Sequence, residues 1–299
     1  MKKTNQLSSK HEKRLAEYRR VIEKELELAL LNSEDFEVVE AMRYSTLGGG
    51  KRIRGALVLE FCKVFSKDYK KAACVAAAIE MIQAFSLIHD DLPCMDDDDE
   101  RRGKPSCHKK FGEATALLAG DALLAASFNT ASATAFLPGG IEPVKAMKIV
   151  STLSNATMEM IKGQQIDMDY EQETPAGKTG SSAEITEDDI IEKLYIRKTC
   201  ALISAACVCG AICGNAKDKD IHLARNFGVS LGLAFQLTDD LLDFKTEKSG
   251  KKTFATLFGE KKTKEKAWEY TEIAVKIAEK LPNGDFLKDI AITLNNRKV

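Results

Sequence analysis

The chain has 299 residues, 44% of them hydrophobic and 30% charged, with a formal net charge of -1. That length admits one large domain or two, and the near-neutral balance gives no general bias toward nucleic acid or an anionic membrane. Eight cysteines are too sparse for a disulfide framework. Cys62, Cys74, Cys200, Cys207, Cys209 and Cys213 fall in apolar runs and read as small buried hydrophobes in a reducing, cytoplasmic compartment. No C-x-x-C pair occurs, and the histidines complete no zinc pattern. The basic start lacks a following apolar region, so it does not read as a secretory signal.

In chain order, residues 10–31 carry apolar positions at helical spacing among charges. The stretch STLGGGKRIR, 45–54, is a glycine break leading into a helix of about 55–65. Residues 71–92 form a helix apolar almost all round, which belongs inside the protein. Pro93 and an acidic run end it. Helices follow over 113–137 and 142–168. ETPAGKTGSSAEITEDD, 173–189, is the clearest loop, and Thr186 with Asp189 suits an N-cap and an acidic first turn. Further helices are expected over 187–214, 218–244, 261–281 and 283–296, with almost no β alternation. The apolar segment 199–213 is about fifteen residues, short of the ~20 a membrane span needs, so no span is expected. The pattern implies one all-α domain over residues 1–299, with no linker composition to divide it.

Two acidic clusters carry the chemistry. The first, LIHDDLPCMDDDDERR at 87–102, holds Asp90, Asp91, Asp96, Asp97, Asp98, Asp99 and Glu100. On an unbroken helix Asp90 and Asp96 would point about 120° apart. Pro93 cannot continue helical hydrogen bonding, and a bend there returns Asp96 to Asp90. Oxygen-only ligands in this arrangement suit Mg²⁺. A solvated acidic turn is the alternative for this cluster alone, and Asp97 to Glu100 read as solvated neighbours. The second cluster, FQLTDDLLDF at 235–244, sets Asp239 and Asp243 one turn apart on an apolar helix. Gln236 sits one turn before Asp240. Carboxylates on so apolar a helix need partners. Basic residues stand ready elsewhere: Lys51 and Arg54, Arg101 and Arg102, Lys198 beside Thr199, and Lys251 with Lys252. Carboxylates and cations together fit a polyphosphate bridged to aspartate through Mg²⁺, with Arg and Lys on its other oxygens.

With both clusters in view, the chain resembles the short-chain trans-isoprenyl diphosphate synthases, in their farnesyl and geranylgeranyl branch. The matching stretches are GGGKRIRG (48–55), EMIQAFSLIHDDLPCMDDDDERRGKPSCHKKFGE (80–113), LAGDALL (118–124), KGQQIDMD (162–169), YIRKTCALI (195–203) and FQLTDDLLDF (235–244). They lie in the family's order and span most of the chain. The resemblance implies an all-α isoprenoid synthase fold around a central cavity, a homodimer, and three Mg²⁺ ions per active site. It implies a prenyltransferase that condenses isopentenyl diphosphate with an allylic diphosphate. Asp90, Asp91 and Asp96 would hold two ions, and Asp239, Asp240 and Asp243 a third. Arg101, Lys198, Thr199 and Gln236 would contact the allylic substrate. Lys51, Arg54, Gln83 and Arg102 would hold isopentenyl diphosphate, with Lys251 on diphosphate. Many relatives have histidine where this chain has Gln83. They also carry a longer stretch after the second motif than 243–257 here, so Lys245 or Lys248 competes with Lys251 for that role. Lys162 and Gln165 stand where relatives often show small residues.

Phe85 and Ser86 lie five and four positions before Asp90, on the path of a growing tail. In the family an aromatic at the place of Phe85 resembles farnesyl (C15) synthases, and C15 is the expected main product, ahead of C20. A terpene cyclase on the same fold is disfavoured by the complete second motif and the paired isopentenyl-site candidates. A non-catalytic subunit is disfavoured by retention of both motifs.

Overall fold

The computed structural model describes residues 7–31, 36–172, 185–245 and 252–297. Helix predominates among them, as the Ala- and Leu-rich composition implies. The only strands among the described residues are β1 (Glu100–Arg101) and β2 (Lys104–Pro105), a short antiparallel hairpin. The chain divides into two compact units. One comprises residues 13–154 and 209–215, the other residues 1–12, 155–208 and 216–299.

The first unit contains most of α1 (Ser9–Ala29), then α2 (Glu37–Leu47), α3 (Ile53–Phe65) and a 3₁₀ turn at Lys70–Ala72. After these come α4 (Ala73–Asp90), the hairpin, α5 (Cys107–Phe111), α6 (Glu113–Ala133) and the opening of α7 (Pro143–Gln172). α4 has no polar face, so it must be enclosed, and it packs against α3 and α6. Ile79, Met81 and Ile82 lose all solvent contact there. α1 is amphipathic instead and buries Tyr18, Ile22 and Leu26, which recur at four-residue spacing.

One polar cluster lies inside this core. Glu60 is 1% exposed. Its carboxylate accepts from the Tyr18 hydroxyl at 2.5 Å and from Arg14 Nη1 at 3.0 Å. Burial pushes the Glu60 carboxyl above the usual range, against the pull of those two donors.

The second unit holds the rest of α7 and a helix of wide, π-type pitch, Asp189–Cys200, which runs into α8 (Ala201–Cys213). It also holds α9 (Asp218–Lys245), α10 (Phe254–Phe258), α11 (Glu260–Ala278) and α12 (Asp285–Asn295). α9 packs against α10, α11, α12 and the π-type helix. Ile190, Leu194, Leu233, Leu237 and Phe254 form the shared core. The π-type helix opens on a reciprocal cap. Thr186 N–H donates to Asp189 Oδ2 at 3.0 Å, and Asp189 N–H donates to Thr186 Oγ1 at 3.2 Å.

The long helices stand close to their expected bounds. Three short ones, α2, α5 and α10, were not anticipated. Two helical spans, Lys70–Asp90 and Asp189–Cys213, are long and apolar enough to cross a membrane by length and composition alone. Of the most apolar window in each, 72% and 78% is buried inside the protein. No disulfide forms among the described residues, and of the eight cysteines Cys94 alone is exposed.

Replacing Tyr18 with Phe leaves a buried carboxylate one donor short. It should cost about 1–3 kcal/mol in denaturant unfolding. Because the folded-state pKa of Glu60 is raised, its contribution to stability is greatest below the ordinary glutamate range and is lost as pH rises through the folded value. Glu60→Gln should therefore flatten the stability–pH curve above that range.

Candidate active site

The end of α4 builds the first aspartate cluster. Pro93 stops the helix, and the chain folds back so that Asp96 N–H donates to the Asp90 carbonyl at 2.9 Å. Asp97 N–H reaches the Leu92 carbonyl at 3.2 Å. The backbone itself thus closes the DDLPCMD loop and brings Asp96 back to Asp90.

Asp91 points elsewhere. It is 2% exposed, and Arg101 Nε donates to its two oxygens at 3.0 and 3.2 Å while Nη2 also reaches Oδ1. Burial pushes the Asp91 carboxyl up, with Arg101 opposing that shift. Burial also works against the charge on Arg101, but Asp91, Asp98 and Asp90 outweigh it and raise its pKa.

The remaining acidic residues are exposed, yet they are not merely solvated. Asp98 accepts from Arg101 Nη2 at 3.0 Å. Lys109 Nζ lies 2.7 Å from Asp99 and 3.8 Å from Asp97, and His108 Nε2 lies 3.6 Å from Asp97. Arg101 and Lys109 follow the acidic run closely enough in sequence to fold back on it, while Asp97 to Glu100 stay exposed to solvent as the sequence implied.

The hairpin turn places the arginines. Arg102 and Gly103 both have positive φ, 57° and 71°, the combination a type I′ turn demands. Tyr44 anchors β2 by donating to the Pro105 carbonyl at 2.8 Å. Arg102 Nη1 donates to the Gly49 carbonyl, and a Cβ on Gly50 would come within 3.2 Å of the Arg102 guanidinium. Gly49 and Gly50 have φ of 105° and 132°, which only glycine adopts without strain. Desolvation lowers the pKa of Arg102, and the positive charges of Arg52 and Arg101 lower it further. Arg52 is itself buried, donating to the Thr46 carbonyl at 2.7 Å with Glu80 3.6 Å away. This unit therefore gathers the Gly48–Gly50 loop, half-buried Arg54, and exposed Lys51 and Arg102 as a cationic set suited to an anion. A cavity beside it is walled in part by Tyr44, Gly48, Asp91, Arg101 and Arg102. Half-buried Gln83 and Ser86 lie on α4, where the Ser86 hydroxyl donates to the Gln83 carbonyl at 3.1 Å.

Phe85 is 6% exposed and meets the His89 ring edge-on, with centroids 5.0 Å apart. His89 Nε2 lies 3.0 Å from the Leu117 carbonyl of α6. A Cβ on Gly120 would fall 2.1 Å from that nitrogen, so glycine there makes room for the ring. His89 thus anchors α4 to α6 and steadies Phe85.

The second unit holds the other motif. Asp239, half-buried, lies 3.1 Å from Arg297 Nη1, and Asp243, one turn on, is exposed. Asp240 is 2% exposed. It accepts from the Tyr195 hydroxyl at Oδ2 and from Gln236 Nε2 at Oδ1, 3.0 Å away. Burial raises the Asp240 carboxyl to about 7 despite these donors. The Thr199 hydroxyl donates to Gln236 Oε1 at 2.6 Å, and Lys198 Nζ is held by Asp167 of α7. Lys251 and Lys248 lie outside the described residues.

Sequence reasoning gave no role to Asp167 or Tyr195. Both lie within stretches that match the family, one turn after Gly163 and one turn before Lys198. Lys162 and Gln165 are surface residues, paired with Glu159 at 2.7 Å and Asp169 at 2.8 Å.

The donor chemistry suits Mg²⁺, which takes one or two carboxylates and completes its shell with water and phosphate oxygen. Asp90 with Asp96, and Asp239 with Asp243, offer such pairs. Among the described residues no three His, Cys, Asp or Glu side chains form a self-contained metal cage.

The chain belongs to the polyprenyl synthetase family, whose description matches residues 36–264. It is 38% identical over 266 residues to the farnesyl diphosphate synthase of Bacillus subtilis, covering 87% of this chain and 84% of that one. It is 42% identical over 226 residues to the chloroplastic heterodimeric geranylgeranyl pyrophosphate synthase large subunit 1 of Arabidopsis thaliana, covering 75% of this chain. The match spans only 58% of that relative's length. Among solved structures, an FPP/GFPP synthase from Zymomonas mobilis superposes with a TM-score of 0.84 at 34% identity, covering 95% of this chain and 99% of that one. A geranyltranstransferase from Thermotoga maritima gives 0.78 at 30% identity, covering 93% and 96%. The all-α isoprenoid synthase fold expected from the sequence is the fold of this chain.

Gly163 lets α7 approach the backbone of Lys198, since a Cβ there would fall 2.3 Å from the Lys198 nitrogen. Gly163→Ala should cost about 1–3 kcal/mol in denaturant unfolding, because backbone atoms must move to admit the methyl group.

Proposed function

We propose that the protein is a trans-prenyltransferase that joins isopentenyl diphosphate to dimethylallyl or geranyl diphosphate, giving chiefly the C15 product, farnesyl diphosphate. The observation that carries this reading is the closure of Asp96 onto Asp90 in the unit that holds Arg101, Arg102 and the Gly48–Gly50 loop. Such a set handles two diphosphates and has little use otherwise. Residues 1–299 act as one synthetase domain, and both aspartate motifs serve the same reaction.

In this reading Arg101, Lys198, Thr199 and Gln236 hold the allylic diphosphate. Lys51, Arg54, Gln83 and Arg102 hold isopentenyl diphosphate, with Lys251 on diphosphate. Asp90 and Asp96, with Asp91 behind them, and Asp239 and Asp243, with Asp240 behind them, serve three Mg²⁺ ions. When bound, those ions neutralise charge on the departing diphosphate. The basic side chains add to that stabilisation as the allylic C–O bond breaks. The isopentenyl double bond attacks the allylic carbon, and the proton is lost to the departing diphosphate, so no protein base is required. That leaves His89 to its packing role. Lys198 is held by Asp167, so an arriving diphosphate competes with that carboxylate for the ammonium. The apolar length of α4 behind Asp90 excludes water from the cationic carbon.

The C15 product rests on Phe85, whose ring is buried and steadied by His89. A fixed aromatic there, with Ser86 beside it, limits the tail. The protein acts as a cytoplasmic homodimer. Exposed Leu118 on α6 and Met147 on α7, 56% and 74% exposed, are apolar surface that a second copy would cover.

Incubation with isopentenyl and geranyl diphosphates and Mg²⁺ should yield mainly C15 alcohol after phosphatase treatment and chromatography. A predominantly C20 product overturns the chain-length assignment, and a released hydrocarbon would point to a cyclase. Phe85→Ala should lengthen the product. Asp90→Ala and Asp239→Ala should each lower kcat by roughly a hundredfold or more, and chelation of Mg²⁺ should abolish turnover until the ion is restored.

A further inference from the structure

Asp240 differs from its neighbours in the second motif. It is 2% exposed, while Asp239 is half-buried and Asp243 exposed. Both its oxygens are engaged by donors, the Tyr195 hydroxyl on one and Gln236 Nε2 on the other. The Tyr195 oxygen accepts in turn from the backbone N–H of Phe254 at 2.9 Å. Gln236 Oε1 accepts the Thr199 hydroxyl. The donors therefore run inward from two ends, Phe254 through Tyr195 and Thr199 through Gln236, and meet at Asp240. Each link fixes the next. Gln236 cannot flip its amide without losing both contacts, and Tyr195 cannot turn its hydroxyl away without leaving a buried carboxylate short of a donor.

We infer that Asp240 is the acceptor hub of a buried strut rather than a metal ligand, and that Tyr195 is a positioning residue which, through it, aims Gln236 and Thr199 at the allylic diphosphate. Successive helical residues lie 100° apart. Pinning Asp240 inward therefore fixes the rotation of α9 and with it the direction of Asp239 and Asp243. The same strut ties the first residue of α10 to the π-type helix. This inference deepens the proposed function and rests on it.

The test compares Tyr195→Phe, Asp240→Asn, their double variant and Asp239→Asn in the full chain. Initial rates are measured against allylic diphosphate, isopentenyl diphosphate and Mg²⁺ separately, with helicity checked by circular dichroism. Tyr195→Phe should raise KM for the allylic diphosphate by roughly tenfold, leaving KM for isopentenyl diphosphate unchanged. Asp240→Asn should show the same split, and the double variant should be no worse than Asp240→Asn alone, because both remove one network. Asp239→Asn should instead raise the Mg²⁺ concentration needed for half-maximal rate. Unaltered allylic KM in Tyr195→Phe, or an equal loss on both substrates, overturns the positioning role. An Asp240→Asn variant that shifts only the Mg²⁺ requirement, as Asp239→Asn does, overturns the hub. If Tyr195→Phe does not fold, the Asp240→Asn comparison decides. A folded wild-type chain that turns over no allylic diphosphate overturns the transferase reading itself, a result distinct from all of these.

Discussion

A carboxylate kept beside buried apolar helices must be met by donors, or its charge is too costly to hold. Both aspartate motifs are organised by that requirement. In the first, Arg101 meets Asp91; in the second, Tyr195 and Gln236 meet Asp240. In each motif one aspartate is buried and met by donors of the protein, while Asp90 and Asp239 are half-buried and Asp96 and Asp243 exposed.

This division gives the hairpin its purpose. Two residues per strand would make no stable sheet alone. The turn at Arg102 and Gly103 is nevertheless fastened at several points, by Arg101 to Asp91, by Arg102 to Gly49 and by Tyr44 to Pro105. The acidic run reinforces it through Lys109. Charges that seemed excessive in the sequence thus hold two arginines in register with the glycine loop. The wide pitch of Asp189–Cys200 has a comparable effect in the second unit, since it carries Tyr195, Lys198 and Thr199 within about one turn.

The long helices were legible because their apolar spacing persists over many turns, and α4 stood out because it lacks a polar side. The bend at Pro93 followed from the ring's missing N–H. The short helices were not legible: α5 and α10 are five residues each, too brief for periodicity to emerge, and α2 follows no strong cap. The aspartates and the basic residues were visible as types. Their division into inward and outward members was not, because it depends on partners far away in sequence, such as Tyr195, which is 45 positions from Asp240. Asp167 was hidden for the same reason. The pairing of the acidic run with Arg101 and Lys109 was not legible, because it depends on a turn geometry that the sequence alone did not reveal.

The backbone bond between Asp96 and Asp90 also separates length from identity in the loop between them. The hydrogen bonds that close it come from main-chain atoms, so the side chains of Pro93, Cys94 and Met95, none of them buried, are open to substitution to the extent that they preserve the bend. The number of residues is not open in the same way. Adding or removing one would change which N–H meets which carbonyl. Across proteins with this motif, the loop should therefore drift in composition while its count stays fixed.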